Sequence, residues 1–260
     1  MTDARLDLAI NGQIARLTIR RAEKQNALDA DMVDALIPLC RAVERSEARV
    51  LILTGEGEKS FCAGGDIAEW SSWSPAAFGR HWVRDGHQAF DALARLSIPV
   101  IAVLNGHCLG GGLELAACAD LRIAEDHVKV GQPEAGLGII PGWSGTQRSV
   151  RRFGAQAVRR MAIMGEVFDA SQALALGIVD QVVAKGTGLA AADEVASRLL
   201  KRSPRATEIT KMLINAAEGE DRECVLESMA GVIAAGSDDL AEGLAAFREK
   251  RKPRFNGETE

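Results

Sequence analysis

The sequence predicts an α/β core over residues 1–195 and a helical C-terminal region over residues 196–260. Short apolar, β-branched runs alternate with helix-forming stretches up to about residue 130. From about residue 155 onwards, nearly every periodic stretch has the helical spacing. This helical part carries Ala and Leu on several faces, so we expect some of it to pack against another subunit.

The first predicted elements are a hairpin and a helix. Strands are expected over residues 5–10 and 14–19, because Asn11 and Gly12 form a favoured two-residue turn between them. A helix follows Asp29, a good N-cap residue. The next predicted strands are 50–54, 98–104, 121–124 and 128–130, with helices at 75–95 and 113–119. The remaining predicted helices are 158–164, 171–176, 189–200, 204–217, 222–235 and 238–249.

Two glutamates stand in unusual surroundings for charged residues. Glu114 ends a glycine-rich run that begins at Gly110, and Glu134 directly follows Pro133. Two carboxyl groups can divide general-acid and general-base duties when their surroundings give them different proton affinities. Because most glutamates are solvated surface charges, only the context makes this pair a catalytic candidate.

That context is a pair of glycine-rich turns, each after a predicted buried strand. Strand 98–104 leads to three glycines at a helix N-terminus, and strand 50–54 leads to Ala63, Gly64 and Gly65. Free N–H groups at a helix N-terminus suit an anion or a developing oxyanion. The glycine spacing matches neither the dinucleotide fingerprint nor the P-loop, which favours an acyl oxyanion over a nucleotide phosphate. The alternative interpretation is that the glycines only allow tight packing at a corner of the fold. An oxyanion hole requires two convergent N–H donors, and the two turns can supply them only if their strands are neighbours.

Three motifs occur in a family-specific order. They are Phe-Cys-Ala-Gly-Gly-Asp-Ile at 61–67, Asn-Gly-x-x-x-Gly-Gly-Gly-x-Glu-Leu at 105–115, and Gln-Pro-Glu-x-x-x-Gly-x-x-Pro-Gly at 132–142. With these motifs the chain resembles, over nearly its whole length, the enoyl-CoA hydratase/isomerase (crotonase) superfamily. The resemblance implies a crotonase-like ββα spiral core with a C-terminal helical trimerisation region, and assembly as a homotrimer or homohexamer.

The resemblance also implies a reaction and a set of roles. The expected activity is that of an enoyl-CoA hydratase, which adds water syn across the 2,3 double bond of a 2-enoyl-CoA to give 3-hydroxyacyl-CoA. Backbone N–H groups of Ala63 and Gly111 would hold the thioester oxygen. Glu134 would exchange a proton with C2, and Glu114 would hold and activate the water.

Coenzyme A is then part of the substrate, and no separate cofactor is expected. By resemblance, the substrate-binding and CoA-binding residues are Lys24, Ala27, Gly64, Gly65, Asp66, Ile67, Gly110, Pro133, Gly142 and Trp143. A solvated charge is an equal alternative for Lys24. Where many hydratases of the family have Ala-Gly, this chain has Trp143 and Ser144. Packing is the default interpretation for this and the other tryptophans.

Other functions share these motifs. An enoyl-CoA isomerase, or another dehydratase or lyase of the family acting on acyl-CoA, would carry the same loops, although isomerases can work with one of the two carboxylates. A noncatalytic CoA-binding protein with this fold is disfavoured because both glutamates are present.

Composition excludes several classes of function. A net charge of −5 argues against nucleic acid or an anionic membrane surface as the main partner, and no apolar run is long enough to insert into a membrane. The four histidines have no metal-binding spacing, so we expect no metal. Five cysteines, an odd number without a Cys-x-x-Cys pair, and the absence of a signal core predict a cytoplasmic protein.

Overall fold

The structure is a computed structural model that describes residues 3–220 and 238–255. The chain divides into two compact units, Met1–Lys211 and Met212–Glu260. The domain boundary predicted after residue 195 stays a prediction. Within the described ranges, no helix is both long enough and apolar enough to cross a membrane.

Most of the elements lie in the first unit. The strands are β1 (Leu6–Asn11), β2 (Ile14–Ile19), β3 (Val50–Gly55), β4 (Ser60–Cys62), β5 (Val100–Leu104), β6 (His107–Leu109), β7 (Leu121–Glu125), β8 (Lys129–Gly131), β9 (Val167–Asp169) and β10 (Gln181–Val183). The helices are α1 (Ala30–Glu44), α2 (Ile67–Trp70), α3 (Pro75–Ala77), α4 (Arg84–Ala94), α5 (Gly111–Ala116), α6 (Arg148–Phe153), α7 (Ala155–Ala162), α8 (Ala170–Ala175), α9 (Gly188–Leu199), α10 (Pro204–Ala217) and α11 (Asp238–Glu249). Short 3₁₀ helices cover Ala22–Lys24 and Glu134–Leu137, and a π-helical segment covers Phe78–Val83.

Two sheets share the strands in a regular way. The larger sheet has the order β1-β2-β3-β5-β7-β10 and the smaller has β4-β6-β8-β9. Three consecutive strand pairs, β3/β4, β5/β6 and β7/β8, each contribute one strand to each sheet, and these strands pair in parallel within their sheets. This repetition produces the predicted spiral core and brings equivalent turns of successive repeats side by side.

The long elements agree with the sequence patterns. The hairpin pairs Leu6 with Ile19 and Asn11 with Ile14, so its two-residue turn is Gly12-Gln13 and not the predicted Asn11-Gly12. The Asp29 side chain caps α1 by accepting a hydrogen bond from the Met32 N–H. β3 and β5 are buried along their whole length, as expected for parallel strands covered on both faces. The helix predicted over residues 222–235 lies outside the described residues.

The short elements differ from the sequence patterns. The sequence does not predict β4, β6, β9 or β10, because each has three residues and shows no readable periodicity. The single helix expected over residues 75–95 is interrupted by the π-helical segment, and the helix expected over 113–119 begins and ends earlier, as α5.

Candidate active site

The two glycine-rich turns lie next to each other. Their preceding strands, β3 and β5, are hydrogen-bonded parallel neighbours, and β4 pairs with β6 in the second sheet. A Cβ atom placed on Gly64 would lie 3.1 Å from the backbone nitrogen of Gly111. The neighbouring strands that an oxyanion hole requires are therefore confirmed.

Close contact explains why this corner is built of glycine. Gly110 has φ of +56° and ψ of −129°, a conformation that residues with a side chain rarely adopt. A Cβ atom on Gly112 would lie 2.0 Å from the Cys62 carbonyl oxygen. The absence of side chains thus lets the start of α5 pack directly on the end of β4.

The prediction for Ala63 needs correction. Its N–H donates to the Gln25 carbonyl oxygen at 3.1 Å, so it is not available to a ligand. Two residues later, Gly65 forms a parallel β-bridge with Leu28. The Leu28 N–H donates to the Gly64 carbonyl oxygen, and the Leu28 carbonyl oxygen accepts from the Asp66 N–H. In a parallel bridge of this kind, the N–H of the residue between the two bonded ones, here Gly65, points away from the partner residue Leu28. Among the described residues, the N–H groups of Gly65 and Gly111 have no protein acceptor.

Glu114 is held firmly at one of its carboxyl oxygens. It lies in the first turn of α5 and is 3% exposed. Its Oε1 accepts hydrogen bonds from the backbone N–H of Trp143 at 2.7 Å and of Gly145 at 2.6 Å. No hydrogen bond from the described part of the chain reaches Oε2. One oxygen is thus fixed by the protein, and the other remains available to a water molecule.

Glu134 has the opposite environment. It begins the 3₁₀ helix that follows Pro133 and is 7% exposed. Neither of its carboxyl oxygens has a hydrogen-bond partner among the described residues. Its Oε1 faces the first glycine of the turn, 3.2 Å from where a Cβ of Gly110 would stand. A buried carboxyl group without a partner is costly and is typically found where a ligand supplies the partner.

Burial shifts both carboxyl groups towards their protonated forms. Loss of hydration raises the pKa of Glu134 to about 7. Burial, and then the nearby Glu134 charge, raise the pKa of Glu114 to about 8, against the lowering effect of its two backbone hydrogen bonds. The pair therefore carries about one proton at pH values between these two pKa values.

The raised pKa of Glu134 predicts a pH-dependent cost to stability. Below about pH 4.5 the carboxyl group is protonated in both the folded and the unfolded chain and contributes nothing. As the pH rises towards 7, the unfolded chain loses this proton while the folded chain keeps it, so the free energy of unfolding falls. The full cost, about 3 kcal/mol, is present above pH 7.

Glu134→Gln should remove this cost, because an amide does not ionise. We expect the variant to be more stable than the unsubstituted protein at pH 8 by up to about 3 kcal/mol, and the difference to shrink towards pH 5. Urea unfolding at several pH values measures it. Glu23→Gln, at an exposed glutamate, is the matched control and should follow the unsubstituted protein. A Glu134→Gln variant with unchanged pH dependence would contradict the assignment.

One cavity contains both glutamates and both free glycine N–H groups. Of the residues predicted for the site, the following line it: Ala63, Gly64, Gly65, Ile67, Gly110, Gly111, Glu114, Pro133, Glu134, Gly142 and Trp143. Three predicted residues do not. Lys24 is exposed, the Ala27 carbonyl accepts from Arg21, and Asp66 pairs with the same arginine at 2.8 Å. Their expected contact with coenzyme A stays a prediction.

Apolar residues outside the predicted site set complete the lining; of these, the sequence draws attention only to the two tryptophans. The residues are Trp70, Phe78, Trp82, Val83, Leu137, Ile139 and Ile140. Trp143 is 3% exposed, and its ring nitrogen donates to the Trp82 carbonyl at 2.8 Å. The Trp143 ring lies 2.8 Å from the Cβ position of Gly111 and 3.3 Å from that of Gly65. The tryptophans thus have a packing role, which is the default expectation. Trp82 and Trp143 also form one wall of the cavity, beside the free N–H groups of Gly65 and Gly111.

Comparison with known proteins gives a consistent result. The model of the family described as enoyl-CoA hydratase/isomerase matches residues 9–258. A short-chain-enoyl-CoA hydratase from Clostridium acetobutylicum is 37% identical, over 93% of each chain. A crotonyl-CoA hydratase from Syntrophomonas wolfei is 38% identical, over 94% of each chain. Among solved structures, DspI from Pseudomonas aeruginosa is similar with a TM-score of 0.82 and 33% identity, over 98% of each chain.

Proposed function

Because this chain belongs to the enoyl-CoA hydratase/isomerase family, we propose that it is an enoyl-CoA hydratase that converts a 2-enoyl-CoA into a 3-hydroxyacyl-CoA. One observation carries the proposal. Two buried carboxyl groups with raised pKa values share an apolar cavity with two unpartnered backbone N–H groups. Adding water to a conjugated thioester needs these two kinds of group.

The N–H groups act on the charge that develops. When water attacks C3, the electrons of the double bond move towards the thioester oxygen, which becomes an enolate oxygen. We assign the N–H groups of Gly65 and Gly111 to this oxygen, because both are unpartnered and both residues line the cavity. Donors held in place beforehand stabilise such a charge without reorganising.

The glutamates move the protons. The Oε2 atom of Glu114 takes a proton from the attacking water, while its Oε1 stays fixed by Trp143 and Gly145. Glu134 in its protonated form gives a proton to C2, so water is added across the double bond. Afterwards Glu114 carries a proton and Glu134 does not. Hydration starts with the pair's one proton on Glu134, and dehydration starts with it on Glu114. The two carboxyl groups interact through the charge of Glu134, so the two pKa values belong to the pair and both placements of the proton are accessible.

A direct assay tests the proposal. Purified protein is incubated with crotonyl-CoA, and we expect the conjugated absorbance to fall as a product heavier by one water forms. An isomerase would instead convert a 3-enoyl thioester into its 2-enoyl isomer without a change of mass. A noncatalytic CoA-binding protein would bind the thioester and change neither its absorbance nor its mass. Either of these last two results contradicts the hydratase proposal.

Other parts of the proposal rest on the same resemblance. Coenzyme A is the handle of the substrate, and the reaction uses no further cofactor. We also propose a homotrimer or homohexamer in the cytoplasm. Large apolar side chains are exposed within each unit, including Met164 at 70% in the first and Phe247 at 84% in the second. Such exposure is typical of surfaces that other subunits cover.

A further inference from the structure

Ser144 has an unusual backbone conformation at a critical place. It stands between Trp143 and Gly145, the two residues whose N–H groups hold Oε1 of Glu114. Its φ is +79°, in the left-handed region that serine rarely adopts. The conformation turns both flanking N–H groups towards one carboxyl oxygen. Something outside this segment must therefore stabilise it.

His87 supplies such a contact from α4. Its Nε2 lies 3.1 Å from the hydroxyl oxygen of Ser144, a residue that is only 3% exposed. Four residues further along α4, Asp91 pairs with Arg148 at 2.5 Å, and Arg148 is fully buried at the start of α6. One helix thus holds the segment 144–148 at both ends, through two pairs of side chains with the same four-residue spacing.

A nucleophilic Ser-His-Asp triad does not explain these contacts. In such a triad the carboxylate orients the histidine through Nδ1, the nitrogen that does not face the serine. Here Asp91 approaches Nε2, at 3.9 Å, the same nitrogen that contacts Ser144. Neither Ser144 nor His87 lines the cavity with the glutamates. The geometry supports holding rather than covalent chemistry.

We propose that His87 is a positioning residue, which holds Ser144 so that the N–H groups of Trp143 and Gly145 fix Glu114 for catalysis. The inference rests on the proposed role of Glu114 in hydration. His87 does not line the cavity and acts only through the segment 143–145. Removing it leaves the cavity lining in place but lets Glu114 move, and misplacement of a reacting group by about 1 Å costs up to roughly 10²-fold in rate.

The test is a double-mutant cycle on crotonyl-CoA hydration. We expect His87→Ala and Ser144→Ala each to lower kcat by roughly 10- to 100-fold with KM within about twofold. The double variant should be no worse than either single one, because both remove the same hydrogen bond. His87→Gln, whose amide can again form a hydrogen bond with the hydroxyl, should recover most of the activity. Circular dichroism and thermal melts show whether each variant is folded.

His81→Ala is the matched control. His81 pairs with Asp85 four residues later, as His87 does with Asp91, but it has no hydrogen bond to the segment 143–145. It should keep the full activity. The positioning role would be overturned if the losses in the double variant were additive, or if KM changed in parallel with kcat. It would also be overturned if His87→Gln recovered no activity or if His87→Ala kept full activity. If Glu114→Gln kept full activity, the proposed function itself would fail instead.

Discussion

Glu134→Gln is expected to lower kcat for crotonyl-CoA hydration by roughly 10²- to 10⁴-fold while KM changes little. The amide has nearly the shape of the carboxyl group but cannot deliver a proton to C2. The Glu134 carboxyl group makes no hydrogen bond to the described part of the chain, so the substitution breaks no hydrogen bond there. Steady-state kinetics over a range of substrate concentrations separate the two parameters.

Glu114→Gln should give a loss of similar size for a different reason. The amide oxygen can still accept from Trp143 and Gly145, so the side chain keeps its place, but it can no longer take a proton from water. Glu23→Gln at the surface is the control and should retain full activity. If either active-site variant stays within about tenfold of the unsubstituted protein, its assigned proton transfer is wrong.

The same substitution therefore links function and stability at Glu134. It should slow the reaction strongly and, at pH 8, stabilise the fold. An unpartnered carboxyl group in an apolar cavity lowers the stability of the fold. Natural proteins keep such a group where it is needed for function. A variant that is both inactive and more stable than the unsubstituted protein would distinguish a catalytic residue from a structural one.

The sequence predicts the parts of the fold whose signals are local. Buried parallel strands such as β3 and β5 read as continuous apolar runs, and Asp29 marks the start of α1 with its capping side chain. Of the second sheet only β8 is predicted as a strand, since all four of its strands are three residues long and are defined mainly by their neighbours. Parallel pairing joins residues far apart in sequence, and no local pattern records it.

The candidate site shows the same division. Glycine and proline beside Glu114 and Glu134 point to these residues from sequence alone. The direction of each backbone N–H does not follow from the sequence. Ala63 and Gly65 belong to the same motif, and only the bridge from Leu28 to Gly65 shows which N–H faces away from the protein. The contact between His87 and Ser144 spans 57 residues and likewise has no sequence signal.

Replacing single backbone N–H groups by ester oxygens tests the assignment of the donors. Glycolic acid in place of Gly65 removes one N–H and adds no side chain. We expect kcat to fall by roughly 10²- to 10³-fold, or about 3 to 4 kcal/mol of transition-state stabilisation, as for the loss of other oxyanion donors. The corresponding ester at Gly111 should have a similar effect, because both groups contact the same developing charge.

Lactic acid in place of Ala63 is the matched comparison. It removes the N–H that donates to the Gln25 carbonyl, so the expected loss is in the free energy of unfolding, by about 0.5 to 1.5 kcal/mol. Its kcat should stay within a few-fold of the unsubstituted protein. The reverse pattern, a slow enzyme with the ester at 63 and a normal one with the ester at 65, would mean that substrate binding breaks the bond to Gln25. The thioester oxygen would then lie against the N–H of Ala63 instead of the N–H of Gly65.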